Sequence, residues 1–218
     1  MYIAEVFIIY TYISDIFTRK FQPAVTLCIG CGLFTVPLIV NELWNSTLVN
    51  LFLVFTAIVI FLMLTYEIRL SHAMLHGLLL TCIMLATELI CFYTVSAVFN
   101  SGSFYAYRDS TEVYMLDAVT SKILFLLVCK ICSRFKAAKK AAYHKLPVSY
   151  FVYVTSSLAL TICLIIVNGI YTFPSAFQTL MVALAVTLLF SMIFIFISYE
   201  QAAVRNEELA ELRAEGQI

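Results

Sequence analysis

Long apolar runs, separated by short polar stretches, alternate along the whole chain. The runs are about 20 residues long and lack the apolar–polar alternation of a barrel strand, so they predict membrane-spanning helices. Because lipid offers no hydrogen-bonding partner, each span has to satisfy its own backbone groups, as a helix does. Prolines at the first turn of three runs agree with helix starts there. The seven predicted segments cover residues 1–18, 23–41, 47–66, 73–99, 115–132, 147–168 and 174–197.

The composition supports an all-α, polytopic membrane bundle. Hydrophobic residues make up 63% of the chain and charged residues only 12%, whereas a soluble domain carries about 25% charged residues. The core of a soluble domain of this size could not hold so much apolar surface, which makes the lipid bilayer the expected partner. The formal net charge of +0 gives no indication of a nucleic-acid partner. No cofactor is expected.

The positive charges predict the orientation of the bundle. Lys and Arg concentrate in cytoplasmic loops, and here they follow every second segment. The alternate junctions hold Glu42, then Arg108 with two acidic residues, then no charge at all. The pattern predicts an N-terminus outside, seven spans and a C-terminus in the cytoplasm. The basic positions on the predicted cytoplasmic side are Arg19, Lys20, Arg69, Lys130, Arg134, Lys136, Lys139, Lys140, Lys145, Arg205 and Arg213.

Residues 1–198 are predicted to form the membrane bundle, and residues 199–218 a cytoplasmic helical stem. The stem is charged, rich in helix-forming residues, and continues the seventh helix. Leu209 and Leu212 lie on one stripe of a short heptad-like pattern, which favours a homodimer contact through the stem. Tyr199 and Glu200 begin the stem, and these four residues are candidates for passing a signal out of the bundle.

One acidic and one basic residue fall well inside the predicted spans. Glu88 lies near the middle of the fourth segment, and Lys122 lies about a third of the way into the fifth. A carboxylate at the bilayer centre costs roughly 2.5–3.5 kcal/mol on insertion scales. Glu88 is therefore expected to face the bundle, either protonated or paired with Lys122 as the candidate partner. The functional interpretation is a ligand contact or switch, and the structural one is a hydrogen-bonded glutamate.

The longest predicted extracellular loop, residues 100–114, carries Tyr105, Tyr107, Arg108 and Asp109. Tyrosine and arginine are enriched in contacts with peptide and protein ligands. Trp44 marks the outer membrane interface. These five residues, together with the two charges inside the spans, are the candidate ligand-binding residues. An ordinary interfacial loop is the alternative.

Two Cys-x-x-Cys pairs lie in the predicted cytoplasmic half, Cys28 with Cys31 and Cys129 with Cys132. This spacing suits zinc or dithiol chemistry. Inside apolar helices, however, cysteines behave as small packing residues. We favour packing and assign no metal site, and a shared metal or redox site stays open as the alternative.

His72 and His76 are four residues apart at the start of the fourth segment, a spacing that can bind a metal on one helix face. Only Glu67 lies nearby as an acidic residue, so both are expected to be interfacial histidines. His76 and Cys82 also have a spacing similar to the catalytic pair of the membrane cysteine peptidases that process Agr-type pheromone precursors. The glycine-rich turn before that family's histidine is missing here, and Cys82 lies inside the apolar run.

The compact spans, the long basic linker after the fifth span and the charged stem resemble the membrane sensor module of Agr-type peptide-pheromone receptor histidine kinases. The kinase part of that family belongs to the GHKL ATPase class. The resemblance covers the whole chain and lies in layout more than in diagnostic residues. It implies a quorum-sensing receptor of a two-component system in a bacterial cytoplasmic membrane, in which a secreted peptide binds the outer loops and bundle and the last helix reorients a kinase.

The resemblance also implies what this chain would do by itself. The family's phosphoacceptor helix and ATP-binding domain follow the stem, and none of the three histidines of this chain does. The chain is therefore expected to be the sensor part of such a receptor, with no catalytic residue and no kinase activity of its own.

Two other functions stay open at this point. A small transporter or permease component would use Glu88, Lys122 and the cysteine pairs to line a pathway, although no broken, glycine-rich helix is recognisable. A membrane cysteine peptidase would use His76 and Cys82.

Overall fold

The computed structural model describes residues 2–44, 47–98 and 111–134, and scattered positions between 152 and 212. Five helices make up the continuous part. They are α1 (Tyr2–Ile16), α2 (Pro23–Trp44), α3 (Thr47–Thr65), α4 (Leu70–Val98) and α5 (Thr111–Arg134). The all-helical fold class predicted from the apolar runs holds throughout this part of the chain.

The predicted segments and the observed helices agree in number and order as far as Arg134. The main differences are at the ends, because α4 begins three residues earlier than predicted and α5 is longer at both ends. The prediction ends each segment where polar residues begin, because hydropathy indicates only which residues lie in lipid. The helix continues into these polar residues, since its backbone hydrogen bonds do not depend on apolar side chains. The sixth and seventh predicted segments lie mostly outside the described residues.

Three of the five helices are long and apolar enough to cross a membrane: Pro23–Trp44, Leu48–Thr65 and Leu70–Phe92. Helix α1 has 15 residues and measures about 22 Å at 1.5 Å per residue, which is shorter than a hydrocarbon core of about 30 Å. Helix α5 carries Asp117, Lys122 and Lys130 within its apolar stretch. These two helices therefore rely on the bundle to cover their polar groups.

Helix α5 exposes a continuous apolar stripe. Its exposed large side chains recur every three or four residues, the period of one helix face. Exposed apolar surface of this extent is typical of a lipid-facing or partner-facing helix. The stripe consists of Leu116, Val119, Ile123, Leu127 and Ile131.

The five helices pack in a closed ring. Each helix contacts the next one in sequence, and α1 also packs on α5. The core between them holds fully buried aliphatic and aromatic side chains such as Ile9, Ile13, Phe61 and Leu80. One close approach depends on Gly30 of α2, because a Cβ atom at that position would lie 2.7 Å from Val6 Cγ1. A methyl group there would separate α1 from α2.

Two connecting loops pair with each other at one end of the ring. Lys20 N–H donates to the carbonyl of Thr65 at 2.9 Å, and Glu67 N–H donates to the carbonyl of Thr18 at 3.1 Å. Lys20 Nζ also donates to the carbonyl of Met63 at 2.7 Å. The α1–α2 loop and the α3–α4 loop therefore lie at the same end of the bundle. We call residues 18–20 and 65–67 the paired-loop end.

Candidate functional site

The opposite end of the ring holds a network of ion pairs between three helices. Lys122 Nζ of α5 lies 2.7 Å from Glu5 Oε1 of α1 and 2.6 Å from Glu88 Oε1 of α4. Both distances are those of short, charge-assisted hydrogen bonds. The pairing of Glu88 with Lys122 that the sequence suggested is present, and Glu5 is a second carboxylate on the same ammonium group. We call Glu5, Glu88 and Lys122 the charged triad.

The up-and-down packing of the helices explains why these three positions meet. Glu5 lies in the first turn of α1, Glu88 lies in the second half of α4, and Lys122 lies near the middle of α5. Since α4 runs antiparallel to both α1 and α5, its second half lies beside their first halves. Glu88 is ten residues from the end of α4 at Val98, or about 15 Å along the axis.

The three members of the charged triad differ in exposure. The side chains of Glu5 and Lys122 retain 7% and 10% of their accessible surface, whereas that of Glu88 retains 43%. Glu5 and the ammonium group are thus enclosed by the bundle, and Glu88 is the member open to the surroundings. An ion or a charged ligand group that reached the triad would meet Glu88 first.

Among the described residues, two carboxylates of this cluster, Glu5 and Glu88, share one ammonium group. Asp117 of α5 is close enough to add an electrostatic repulsion on Glu88. Within the described residues, Glu5 Oε2 is buried without a hydrogen-bond partner. Buried polar atoms are nearly always hydrogen-bonded, and those that are not merit a functional explanation.

A neutral hydrogen bond flanks the triad. The Tyr2 hydroxyl of α1 donates to Asn50 Oδ1 of α3 at 3.0 Å. Tyr2 also experiences the charges of Glu5, Glu88 and Lys122, which places it beside the network. We call Tyr2, Glu5, Asn50, Glu88 and Lys122 the charged end of the bundle.

A second polar cluster lies nearer the paired-loop end. The Tyr12 hydroxyl lies 3.3 Å from His76 Nδ1, and Phe17 packs edge-on against the same imidazole with ring centroids 4.9 Å apart. Ser14 Oγ and the Tyr66 hydroxyl share a hydrogen bond of 2.8 Å. Burial raises the pKa of Tyr66 to about 12, so its hydroxyl stays neutral throughout the physiological range.

The expectation of interfacial histidines is wrong. His76 is completely buried and His72 is buried as well, because the first turns of α4 pack against α1 and the paired loops instead of facing the interface. Tyr66, in the neighbouring α3–α4 loop, is also fully buried.

The geometry of α4 does not support the peptidase interpretation. Cys82 is completely buried, whereas a nucleophilic thiol needs an accessible, electropositive setting. His76 and Cys82 are six residues apart on one helix, so they are separated by about 9 Å along the axis and point to different faces.

The Cys-x-x-Cys pairs are free thiols. Cys28 is exposed, Cys129 is buried, and Cys31 and Cys132 are partly buried. Among the residues that the structure describes, no three His, Cys, Asp or Glu side chains are grouped as a metal site requires.

The other candidate residues are placed only in part. Trp44 ends α2 and is exposed. Leu209 and Leu212 are helical and exposed. The remaining candidates, Tyr105, Tyr107, Arg108, Asp109, Tyr199 and Glu200, lie outside the described residues.

Sequence reasoning missed the first acidic residue of the triad. Glu5 lies near the end of the first predicted segment, where an acidic residue requires no partner. The signal that could have identified it is the shortness of that segment, because a helix of 15 residues cannot place its first turn far from the apolar core of the bundle.

Comparison with known proteins adds no relative. No protein-family model matches the chain, and no curated protein or solved structure matches it significantly. The chain is thus characterised by its apolar helices, three of which can span a membrane, and by the charged triad that joins α1, α4 and α5.

Proposed function

We propose that this chain is a multi-pass membrane receptor module that senses an extracellular signal, with the charged triad as the element that responds. The supporting observation is the ion-pair network itself. Charged side chains among membrane-spanning helices are costly to insert, and in such proteins they mark ligand sites, relays and switches. Here they join three helices through one ammonium group, so any ligand that competes for that group changes three helix contacts together.

The proposal includes seven spans, with the charged end outside and the paired-loop end in the cytoplasm. The basic residues of both paired loops support this orientation. Reporter fusions after residues 20, 70, 140 and 200 should read cytoplasmic, and fusions after residues 45, 107 and 172 should read outside. Opposite readings at residues 107 and 140 would contradict this orientation.

The stem is the proposed output. Ser198, Arg205, Leu209 and Leu212 are helical and exposed, and exposed leucines on a charged helix favour pairing with a second copy. As in the pheromone receptors that the sequence resembles, the conformation of the stem would control a histidine kinase. The ligand would be a secreted peptide that approaches from the side of the loop at residues 100–110 and reaches Glu88, the exposed member of the triad.

A coupling experiment tests this proposal directly. Hydrogen–deuterium exchange of peptides from residues 198–212 is measured in lipid nanodiscs for the wild type and for Lys122→Met. If the triad sets the conformation of the stem, the protection of these peptides from exchange should differ between Lys122→Met and the wild type. The matched control is Lys130→Met, an exposed lysine on the same helix, which should leave protection unchanged. Equal protection in all three proteins would overturn the proposal.

A cation transporter is the second candidate, favoured by the unpartnered carboxylate oxygen of Glu5. In this function the triad would line a pathway, and Glu88→Gln would abolish the flux of protons or sodium into proteoliposomes. Wild-type liposomes without any flux would remove this candidate and would leave the receptor proposal untouched.

A further inference from the structure

The members of the charged triad differ in what an approaching ligand can reach. The Lys122 ammonium group and the Glu5 carboxylate are enclosed by the bundle, whereas the Glu88 side chain is partly exposed. A ligand anion would have to pass the Glu88 carboxylate to reach the ammonium group, and like charges repel each other. A ligand cation meets a carboxylate of opposite charge first. The order of exposure therefore favours a positively charged ligand group.

The surroundings of Glu88 favour the same charge. Tyr2 is the first residue of α1, and Asn50 lies in the first turn of α3. The Tyr2 hydroxyl donates to Asn50 Oδ1 at 3.0 Å, and Tyr2 is close enough to Glu88 to interact with its charge. Aromatic rings attract ammonium and guanidinium groups. A cation that reaches Glu88 therefore finds a tyrosine beside the carboxylate.

An unused acceptor inside the triad indicates where Lys122 finds a new partner when a cation binds. Glu5 Oε1 accepts a hydrogen bond from Lys122, whereas Glu5 Oε2 is buried and has no partner among the described residues. The Glu5 side chain is more than nine-tenths buried. An ammonium group has three donors. A Lys122 side chain released from Glu88 therefore has a second oxygen of Glu5 to which it can donate, and Glu5 stays ionised and paired.

We propose that the charged triad recognises an ammonium or guanidinium group of the ligand through Glu88. In the free state, Lys122 serves both Glu5 and Glu88. The ligand cation replaces Lys122 at Glu88, and Lys122 keeps its contact with Glu5, so two carboxylates are paired with two cations and no proton is transferred. This inference rests on the proposed receptor function, because it assigns the chemical class of the ligand group that reaches the triad.

The exchange of cations changes the contacts between helices in a defined way. Lys122 of α5 attracts Glu5 and Glu88 at once, which holds α1 and α4 together. When the ligand occupies Glu88, the ion pair between α4 and α5 is lost, and the ion pair between α1 and α5 remains. Ligand binding therefore loosens α4 from α1 and α5.

The test is thermal unfolding in lipid nanodiscs, with a small primary ammonium ion as the probe. Ethylammonium chloride replaces tetramethylammonium chloride at constant ionic strength and pH, because the tetramethylammonium ion has the same charge and no N–H donor. A ligand that binds only the folded state raises the unfolding midpoint. The wild type should show a rise that saturates with the ethylammonium concentration. Tetramethylammonium propionate, which supplies a small anion, should give no rise.

Variants assign the effect to Glu88. Glu88→Gln should abolish the rise, whereas Glu42→Gln, which changes an exposed acidic residue near the end of α2, should keep it. If Glu88→Gln does not fold, Glu5→Gln provides the second test. In that variant Glu88 no longer shares Lys122, so about tenfold more ethylammonium should be needed for the same rise, the factor expected for one charge-assisted hydrogen bond.

Three results would each overturn the cation site: no rise in the wild type, an equal rise in Glu88→Gln, or a rise caused by propionate. The exchange measurements of the stem decide separately about the receptor. A saturable rise without any effect of Lys122→Met on the stem would support the cation site and contradict the receptor. An effect on the stem without a rise would support the receptor and overturn the cation site.

Discussion

The two ends of the helical ring differ in how their polar groups are paired. At the paired-loop end, backbone groups of the two loops bond to each other, and Ser14 bonds to Tyr66. At the charged end, two carboxylates share Lys122, and one oxygen of Glu5 has no partner among the described residues. Hydrogen bonds to backbone and hydroxyl groups close one end, whereas ion pairs between carboxylates and an ammonium group join the helices at the other.

This difference indicates that the two ends of the ring have different roles. A satisfied network of hydrogen bonds in a buried site favours a single arrangement. Charges among membrane-spanning helices are costly, and in such proteins they mark ligand sites and switches. Under the proposed receptor function, the paired-loop end is therefore the fixed part of the bundle, and the charged end is the part whose state changes.

The largest effect is expected from removing the shared cation. Lys122→Met leaves two carboxylates close together without a counter-charge, and breaking a buried ion pair in this way costs about 3–5 kcal/mol. The free energy of unfolding, measured by denaturant titration in mixed micelles, should fall by the lower part of that range, because Glu88 is partly exposed.

Two comparisons sharpen this prediction. Lys130→Met should change stability by less than about 0.5 kcal/mol, as exposed substitutions do. Adding Glu5→Gln and Glu88→Gln to Lys122→Met should restore most of the lost stability. A Lys122→Met protein as stable as the wild type would show that the two ends do not differ in the way described.

A somewhat smaller effect is expected where α1 and α2 cross. In Gly30→Ala, the new Cβ would lie 2.7 Å from Val6 Cγ1 and 3.1 Å from Phe61 Cε2. Valine is branched at Cβ and cannot rotate its methyl groups out of the way freely, so overpacking should cost about 1–3 kcal/mol.

Gly32 provides the matched control for this substitution. A Cβ at Gly32 meets nothing within 4 Å, so Gly32→Ala should be neutral or slightly stabilising, since alanine favours helix. Equal stability of the two alanine variants would contradict the close approach.

A modest effect is expected from a hydrogen bond of the second polar cluster. Tyr12→Phe removes the contact with His76 Nδ1 at 3.3 Å, which should cost about 1 kcal/mol. The free energy of unfolding is measured by denaturant titration in mixed micelles. A loss of stability as large as that of Lys122→Met would contradict the difference between the two ends.

The smallest effect is a difference in reactivity between thiols, and it involves no change in the free energy of unfolding. In the detergent-solubilised protein, Cys28 is exposed and should react with a maleimide, whereas Cys82 is completely buried and should react only after unfolding. Peptide mapping of the labelled protein checks this. Rapid labelling of Cys82 in the folded protein would revive the peptidase interpretation.

The sequence predicted the helices well and the site only in part. Hydrophobic length located the helices α1 to α5, because lipid and helix geometry leave few other solutions, and Pro23 marked the start of α2. The pair of Glu88 and Lys122 was found because both residues stand alone in apolar runs. Glu5 and the buried state of His76 were missed, since an end of a segment looks interfacial until the packing of its neighbours is known.

The most direct test of the charged end is a double-mutant cycle between Glu5 and Lys122. The free energy of unfolding is measured by denaturant titration in mixed micelles for the wild type, Glu5→Gln, Lys122→Met and the double variant. Because the two side chains form an ion pair at 2.7 Å, the account predicts that the double variant loses at least about 1 kcal/mol less stability than the sum of the two single losses. Single losses that simply add would contradict the account.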